Sequence, residues 1–580
     1  MPNNLIVNQK SVRNLFQDNK TDFLIPDYQR PYAWGNEECG TLWEDIFEFA
    51  IPDADATKFR SDKDEYFLGP IVTFQNGERQ LEIIDGQQRL TTLMLLLRAF
   101  YDYFANMQDQ NSIQTREAIG KCIWKTDEFG NPDKQTLKIN SEVATDNDKD
   151  EFLSILRTGI TNDRQKSRYA LNFRFFQEKI QDFLNKFPTY FSYLPIRILN
   201  NCILLPIEAE SQDTALRIFS TLNDRGLPLS DSDIFKAQFY KYYSGKGKKD
   251  VFIDQWKKLE ERCGQIFQPK KGTPLDEIFT RYMYFVRAKR GNKNTTTEAL
   301  RKFYEQNGYS LLKEEQTFED LKNLADFWND VANQDRERFS ERVLRRLFVL
   351  NYAPNGMWTY FVSVYYMQHK NEDFLNNDEA FYLFLDKMTA FIWAYSIFRP
   401  GVNSLRTPLY QEMINIVNNA SVDFKDFKFD EEELHNLMHA YDFFNQRPIT
   451  KSMLAWWAFN DDSQELLNIY TPFDIEHVYA RNRASHEGIT DTRLLEKLGN
   501  KSLLEKRINI RASDYKFEDK KKYYQGFTNA QGVVKNGTGI CELQKMAECQ
   551  SDFTEEDILT RHNSIIDGFI EYLRTKDLIR

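Results

Sequence analysis

The sequence predicts a multidomain α+β protein, on three observations. Near the front, "DEYFLGPIVTF" at 64–74 and "QLEIIDG" at 80–86 alternate like strands and are joined by "QNGE". An Asn-Gly pair between alternating runs is a strong hairpin signal. From about 250 to 440, apolar residues recur at three-and-four spacing with few strand signals, the pattern of packed helices. From about 445 the texture changes to short strand-like and helix-like stretches. At 580 residues the chain is also too long for one core.

Taken in order, the first strand pair leads into "RLTTLMLLLRAFYDYF" at 89–104, which reads as a long, mostly buried helix. "DTALRIFSTLND" at 213–224 reads as another helix, closed by "RGLPLS". Ser230 and Asp233 have the spacing of a capping box for the helix that follows. "YSGKGKKD" at 243–250 reads as a loop, so the expected division is 1–245, a helical middle at 246–444, and 445–580. In the last part "KSMLAWWAFN" is a buried strand or helix, "FDIEH" a strand with Phe473 and Ile475 on one side, and "GNKSLLEKRIN" a turn, a short strand and a helix start. The remainder reads as helical and Lys-rich.

Composition narrows the function classes. A net charge of -11 argues against a general nucleic-acid coat protein but leaves room for a local basic groove. Residues 471–530 carry 12 Lys and Arg against 9 Asp and Glu, a balance of +3. Two basic stretches, 286–294 and 335–347, read as solvated faces ahead of a phosphate groove. The 46 Phe, 29 Tyr and 9 Trp lie in helix-like stretches and are first explained by core packing. Six cysteines without a C-x-x-C pair exclude a zinc ribbon and point to reduced thiols. "MPNNLIVNQK" has no apolar signal core, and no run is long and apolar enough to span a bilayer, so a cytoplasmic protein without a membrane partner is expected.

Six histidines can be weighed singly. His369, His486 and His562 lie in polar surroundings and are expected at the surface. His435 and His439 are four apart on one helix face, a spacing that can bind zinc, but Asn436 stands where a zinc protease needs its Glu. His477 differs, because Glu476 precedes it at a strand end. The carboxylate can hold a hard divalent cation, and the imidazole can take a proton from water near neutral pH. Asn500 and Asn509 follow, at the start of the next strand and of the next helix. A salt-bridged surface pair with capping asparagines explains any one of these elements.

That order resembles the HNH (ββα-metal) nuclease fold. More closely, "FDIEH...LGNKSLLEKRIN...F..K" resembles the C-terminal domain of the GmrSD-type modification-dependent (type IV) restriction enzymes. There a proline often follows the Glu-His segment, where this chain has Ala480. The resemblance implies that His477 is the general base, that Glu476 and Asn509 ligate one Mg²⁺ or Mn²⁺, and that Asn500 orients the His477 loop. It leaves Asp474 a supporting acid beside the ligands.

At the front, "IPDYQRPYAW" places Gln29 and Arg30 between aromatic residues, and "IIDGQQRL" places Asp85, Gly86, Gln87, Gln88 and Arg89 at a strand-to-helix turn. A helix N-terminus with forked arginine donors suits phosphate. An N-capping Asp with a structural Arg explains the same turn, and no Walker A loop is present. These segments, with "YFLGPIVTF" and "FSTLNDRGLPLSDSDIFKA", occur in the order of the GmrSD N-terminal domain, which is similar to the ParB nucleotide-binding fold. The resemblance implies nucleoside triphosphate hydrolysis by Asp85, Gln88 and Arg89, phosphate contacts from Gln29 and Arg30, and weaker candidates in Asn223 and Arg225.

The expected protein is thus a nucleotide-regulated, modification-dependent DNA endonuclease of prokaryotic phage defence. Its expected partners are double-stranded modified phage DNA and a nucleoside triphosphate, with a homodimer open as an alternative to a monomer. The competing reading is a nucleotide-gated DNA-binding regulator with an inactive nuclease-like domain.

Overall fold

The computed structural model describes the chain except residues 1–8, 19–20, 106, 145, 213, 216–217, 219–229, 372–374, 376, 402, 488–492 and 514–515. It forms two units, Met1–Lys258 and Leu259–Arg580.

The first unit is built on strands β1 (Lys10–Ser11), β2 (Phe23–Ile25), β3 (Tyr66–Gln75), β4 (Leu81–Asp85), β5 (Trp124–Thr126), β6 (Pro132–Leu137), β7 (Ile139–Ser141) and β8 (Cys202–Ala209). Six of them form one mixed sheet in the order β1-β8-β3-β4-β2-β7, while β5 and β6 pair separately. β3 and β4 are antiparallel, as the Asn-Gly turn predicts. Asn76 fastens that turn, its Oδ1 accepting from the amides of Glu78 and Gln80 at 3.0 and 2.9 Å.

Helix α1 (Gln87–Tyr103) leaves the end of β4 directly. Leu90 and every residue from Leu93 to Leu97 are fully buried, so its apolar residues go all the way round because it is covered all round. The helix expected at 213–224 lies mostly outside the described residues. Helix α2 (Asp231–Gly245) begins with the reciprocal Ser230–Asp233 cap that the spacing predicts.

Among its described residues the second unit is helical to Phe459, apart from isolated bridges at Lys370–Leu375 and at Phe429, which pairs with Ile579. Among its helices are α3 (Glu431–Ala440) and α4 (Pro448–Phe459), so "KSMLAWWAFN" is helix, started by Pro448 and buried through Met453, Leu454 and Trp456. Strands β9 (Phe473–His477) and β10 (Lys501–Glu505) then pair antiparallel, with Lys501 opposite His477 and Ser502 opposite Glu476. Helices α5 (Lys506–Ala512) and α6 (Phe517–Gln525) follow. A hairpin of β11 (Gly526–Thr528) and β12 (Val534–Asn536) interrupts what reads as helix in the sequence. The long helix α7 (Glu555–Thr575) packs on the turn before β10.

Part of each basic stretch is taken up by internal pairs, while Lys289, Arg290, Lys293, Arg336 and Arg338 are exposed. Arg287 pairs with Glu298, Arg342 with Asp378 and Glu379, and Arg346 with Asp386. Arg345 donates to the carbonyls of Phe459, Asp461 and Asp462. His562, expected at the surface, is instead 1% exposed. It lies on the apolar face of α7 with Ile558, Ile565, Ile566 and Phe569, a helical period that its polar neighbours in sequence conceal. No described helix is long and apolar enough to cross a membrane.

Candidate active site

In the second unit the pleat of β9 decides what its functional side chains meet. Alternation sends Glu476 and His477 to opposite faces. His477 is partly buried, and its Nε2 has no hydrogen-bond partner among the described residues. Burial, reinforced by the charges of Arg481 and Lys501, pushes its pKa down to about 3. The ring is therefore neutral at physiological pH, the form that accepts a proton.

Asn500 is fully buried and fastens the residues that follow His477. Its carbonyl accepts from the Val478 amide at 2.9 Å, and its Oδ1 from the Tyr479 amide at 2.7 Å. Its Nδ2 donates to the carbonyls of Tyr479 and Leu495, both at 3.2 Å. Arg561 of α7 holds the same turn from behind, donating to the carbonyls of Leu498, Gly499 and Lys501. Asn500 thus sits in a rigid frame.

Glu476 is 3% exposed. Its Oε1 accepts from Lys520 Nζ at 2.7 Å and from the Tyr524 hydroxyl at 2.6 Å. Lys520, 1% exposed, also donates to the His477 carbonyl at 2.6 Å. An ammonium thus already takes the carboxylate and carbonyl oxygens that a hard cation would use. The Glu476–Asn509 pair expected to hold Mg²⁺ or Mn²⁺ does not fit the ion in this arrangement, because Lys520 would first have to leave a buried ion pair. Asn509 lies in α5 and is partly buried. Asp474 is partly buried and faces the charge of Lys451.

Around His477 the charge is positive. Arg481 and Lys501 share Glu496, and the fully buried Lys501 also donates to Asn445 Oδ1 at 2.8 Å. Sequence reasoning missed Lys520, Tyr524, Arg481, Lys501 and Glu496 as members of this cluster. One signal was present: Lys520 is the lysine of the quoted "F..K" segment, whose Phe517 is fully buried one turn earlier on α6.

In the first unit the turn after β4 joins the "IPDYQRPYAW" segment. Gly86 has φ +95°, and a Cβ there would meet Ile71 at 3.2 Å, so this position suits glycine twice over. Gln88 Oε1 accepts from the amides of Ala33 and Trp34 at 2.6 and 3.3 Å, and its Nε2 donates to the Pro31 carbonyl at 3.2 Å. Gln87 donates to the Arg30 carbonyl at 3.2 Å, and Gln29 to the carbonyls of Ile83 and Ile84 at 3.1 Å. The three buried glutamines thus join the two segments through bonds to backbone, while Gln87 Oε1 has no hydrogen-bond partner among the described residues.

The charged residues remain. Burial raises the pKa of Asp85, against the pull of Arg89 and Arg30. Burial likewise lowers that of Arg89, whose Nη1 donates to the Pro70 carbonyl at 2.8 Å. A cavity of about 460 Å³ elsewhere in this unit is lined by Asp27, Glu82, Glu142, Glu210 and Lys249, a balance that repels polyphosphate. Asn223 and Arg225 lie outside the described residues.

Two family models match the chain: the GmrSD restriction endonuclease N-terminal domain over residues 12–240, and the C-terminal domain of GmrSD restriction endonucleases over 430–567. None of the curated proteins matches it. The first match contains the Asp85 turn and the second the His477 cluster, in the order of the family's two domains. The chain therefore belongs to the GmrSD restriction endonuclease family.

Proposed function

We propose that the chain is a nucleotide-regulated, modification-dependent endonuclease that cuts double-stranded phage DNA in the prokaryotic cytoplasm. A ParB-like domain over 1–245 takes the nucleoside triphosphate at Asp85, Arg89 and Arg30. A helical middle over 246–444 relays its state, and an HNH-type domain over 445–580 cuts. The observation that carries the reading is the His477 Nε2, buried and without a partner among the described residues, with Arg481 beside it.

In this reading His477 Nε2 takes a proton from the water that attacks phosphorus. Asn500 holds the backbone after His477, so the imidazole keeps its direction. Arg481, half-exposed, offsets the charge of the phosphodiester. A divalent cation, which the restriction endonuclease family implies, supplies Lewis-acid charge when bound.

The test is cleavage of matched modified and unmodified phage DNA, with Mg²⁺ or Mn²⁺ and each nucleotide in turn. Cutting of modified DNA that His477→Ala abolishes is the expected result. Undiminished cutting by His477→Ala overturns the assignment. The Lys520–Glu476 pair favours one competitor, a DNA-binding regulator with a silent nuclease-like domain; nucleotide-dependent binding of modified DNA without any cutting identifies it.

A further inference from the structure

Helices α3 and α7 bring four side chains together at a place that shares no residue with the His477 cluster. His435 Nε2 lies 2.9 Å from Asp567 Oδ1. One turn further along α3, the ring of His439 is 4.5 Å from that of His435, centroid to centroid. One potential ligand atom from each of His435, His439 and Asp567 falls within 4.8 Å of the others. On the inner side, the His562 ring is 5.5 Å from that of His439, nearly perpendicular to it.

An exposed His–Asp ion pair by itself is ordinary and adds little stability. The rest of the arrangement does not follow from such a pair. His562 is 1% exposed, and neither of its ring nitrogens has a hydrogen-bond partner among the described residues. Leaving a buried polar ring unsatisfied carries a cost of about 1–3 kcal/mol, so each instance calls for a cause. A third imidazole, desolvated and facing the second, has one when a metal supplies the missing partner.

We propose that His435, His439, His562 and Asp567 form a transition-metal site, with three imidazoles and one carboxylate as ligands. Nitrogen-rich donor sets of this kind select Zn²⁺, Co²⁺ or Ni²⁺ over Mg²⁺, which prefers oxygen. His562 lies outside the group of three, so the half-exposed His435 and Asp567 swing inward to complete a tetrahedral shell with it. The site's consequence is mechanical. Lys497 donates to the His439 carbonyl at 2.9 Å, and Arg561, next to His562, holds the turn that carries Asn500. A metal joining α3 to α7 stiffens both supports of that turn.

The experiment uses the full chain, stripped with chelator and dialysed, then titrated with Co²⁺ and followed by its visible d–d absorption. One equivalent with the strong absorption of a four-coordinate ion is expected, displaced by Zn²⁺. His435→Ala and Asp567→Asn, both near the surface, each weaken binding on the order of tenfold or more. His562→Phe, which keeps the bulk, does the same. His477→Ala leaves the signal intact. No absorption, or absorption unchanged in His435→Ala and Asp567→Asn, overturns the site. Loss of the signal in His477→Ala moves the metal to the nuclease cluster and equally overturns it. Retention in His562→Phe overturns the four-ligand assignment.

Discussion

Gly499 lies so close to Ile558 that a Cβ on it would sit 1.9 Å from the Ile558 carbonyl oxygen and 2.6 Å from the His562 amide nitrogen. Both obstacles are backbone of α7, which cannot rotate aside. The contact sets how tightly the turn carrying Asn500 is pressed against the helix behind it.

Gly499→Ala should therefore destabilise the second unit by about 1–3 kcal/mol or more, the usual range for overpacking. Differential scanning calorimetry of the full chain reads this as an earlier transition for that unit. An unchanged transition shows that the turn and α7 separate easily.

Lys520 and Glu476 form a pair buried on both sides. Lys520→Met leaves a carboxylate without its cation and should cost about 3–5 kcal/mol. Pairing it with Glu476→Gln should recover much of the loss, since both charges are then gone. Equal melting temperatures for the single and double variants argue against a paired buried charge.

His477 titrates near 6.5 in an unfolded chain and at about 3 in the folded one. Below pH 6.5 the unfolded chain takes up a proton that the folded chain refuses. Its contribution is complete above about pH 6.5 and falls as pH drops toward 3. At pH 5 the loss amounts to about 2 kcal/mol. His477→Gln removes this component, so its melting temperature should drop less between pH 7.5 and pH 5 than the parent's. Parallel curves for the two proteins remove the buried neutral imidazole from the account.

At the Asp85 turn the residues divide by kind. Gln88→Ala leaves the Ala33 amide without its acceptor and should lower the stability of the first unit by about 1–3 kcal/mol. Arg89→Ala should abolish phosphate release from nucleoside triphosphates. Continued hydrolysis by the Arg89 variant shifts the nucleotide site away from this turn.

Short-range features were legible in the sequence. The Asn-Gly turn, the Ser230–Asp233 cap and the two strands at 473–477 and 501–505 rest on neighbours within a few residues, whereas the helix Arg481–Glu487 stands where a loop is expected and Asn509 lies inside its helix, not at the start. Long-range electrostatics was not. Glu476 reads as a free carboxylate until Lys520, 44 residues later, is folded against it. Arg342 and Arg346 read as a basic face until Asp378 and Asp386 arrive from another helix. His562 was within reach, since Ile558, Ile565 and Phe569 share its helical face. At the Asp85 turn the sequence marks the right residues, yet cannot tell that the glutamines would be spent on backbone.

The grip of Arg561 on the Leu498, Gly499 and Lys501 carbonyls has a consequence during synthesis. A ribosome that has released residues up to 510 has delivered His477, Asn500 and Asn509, but not the helix at 555–575 that fastens their turn. Until Arg561 emerges, the nascent polypeptide carries His477, Asn500 and Asn509 without the brace that aligns their turn.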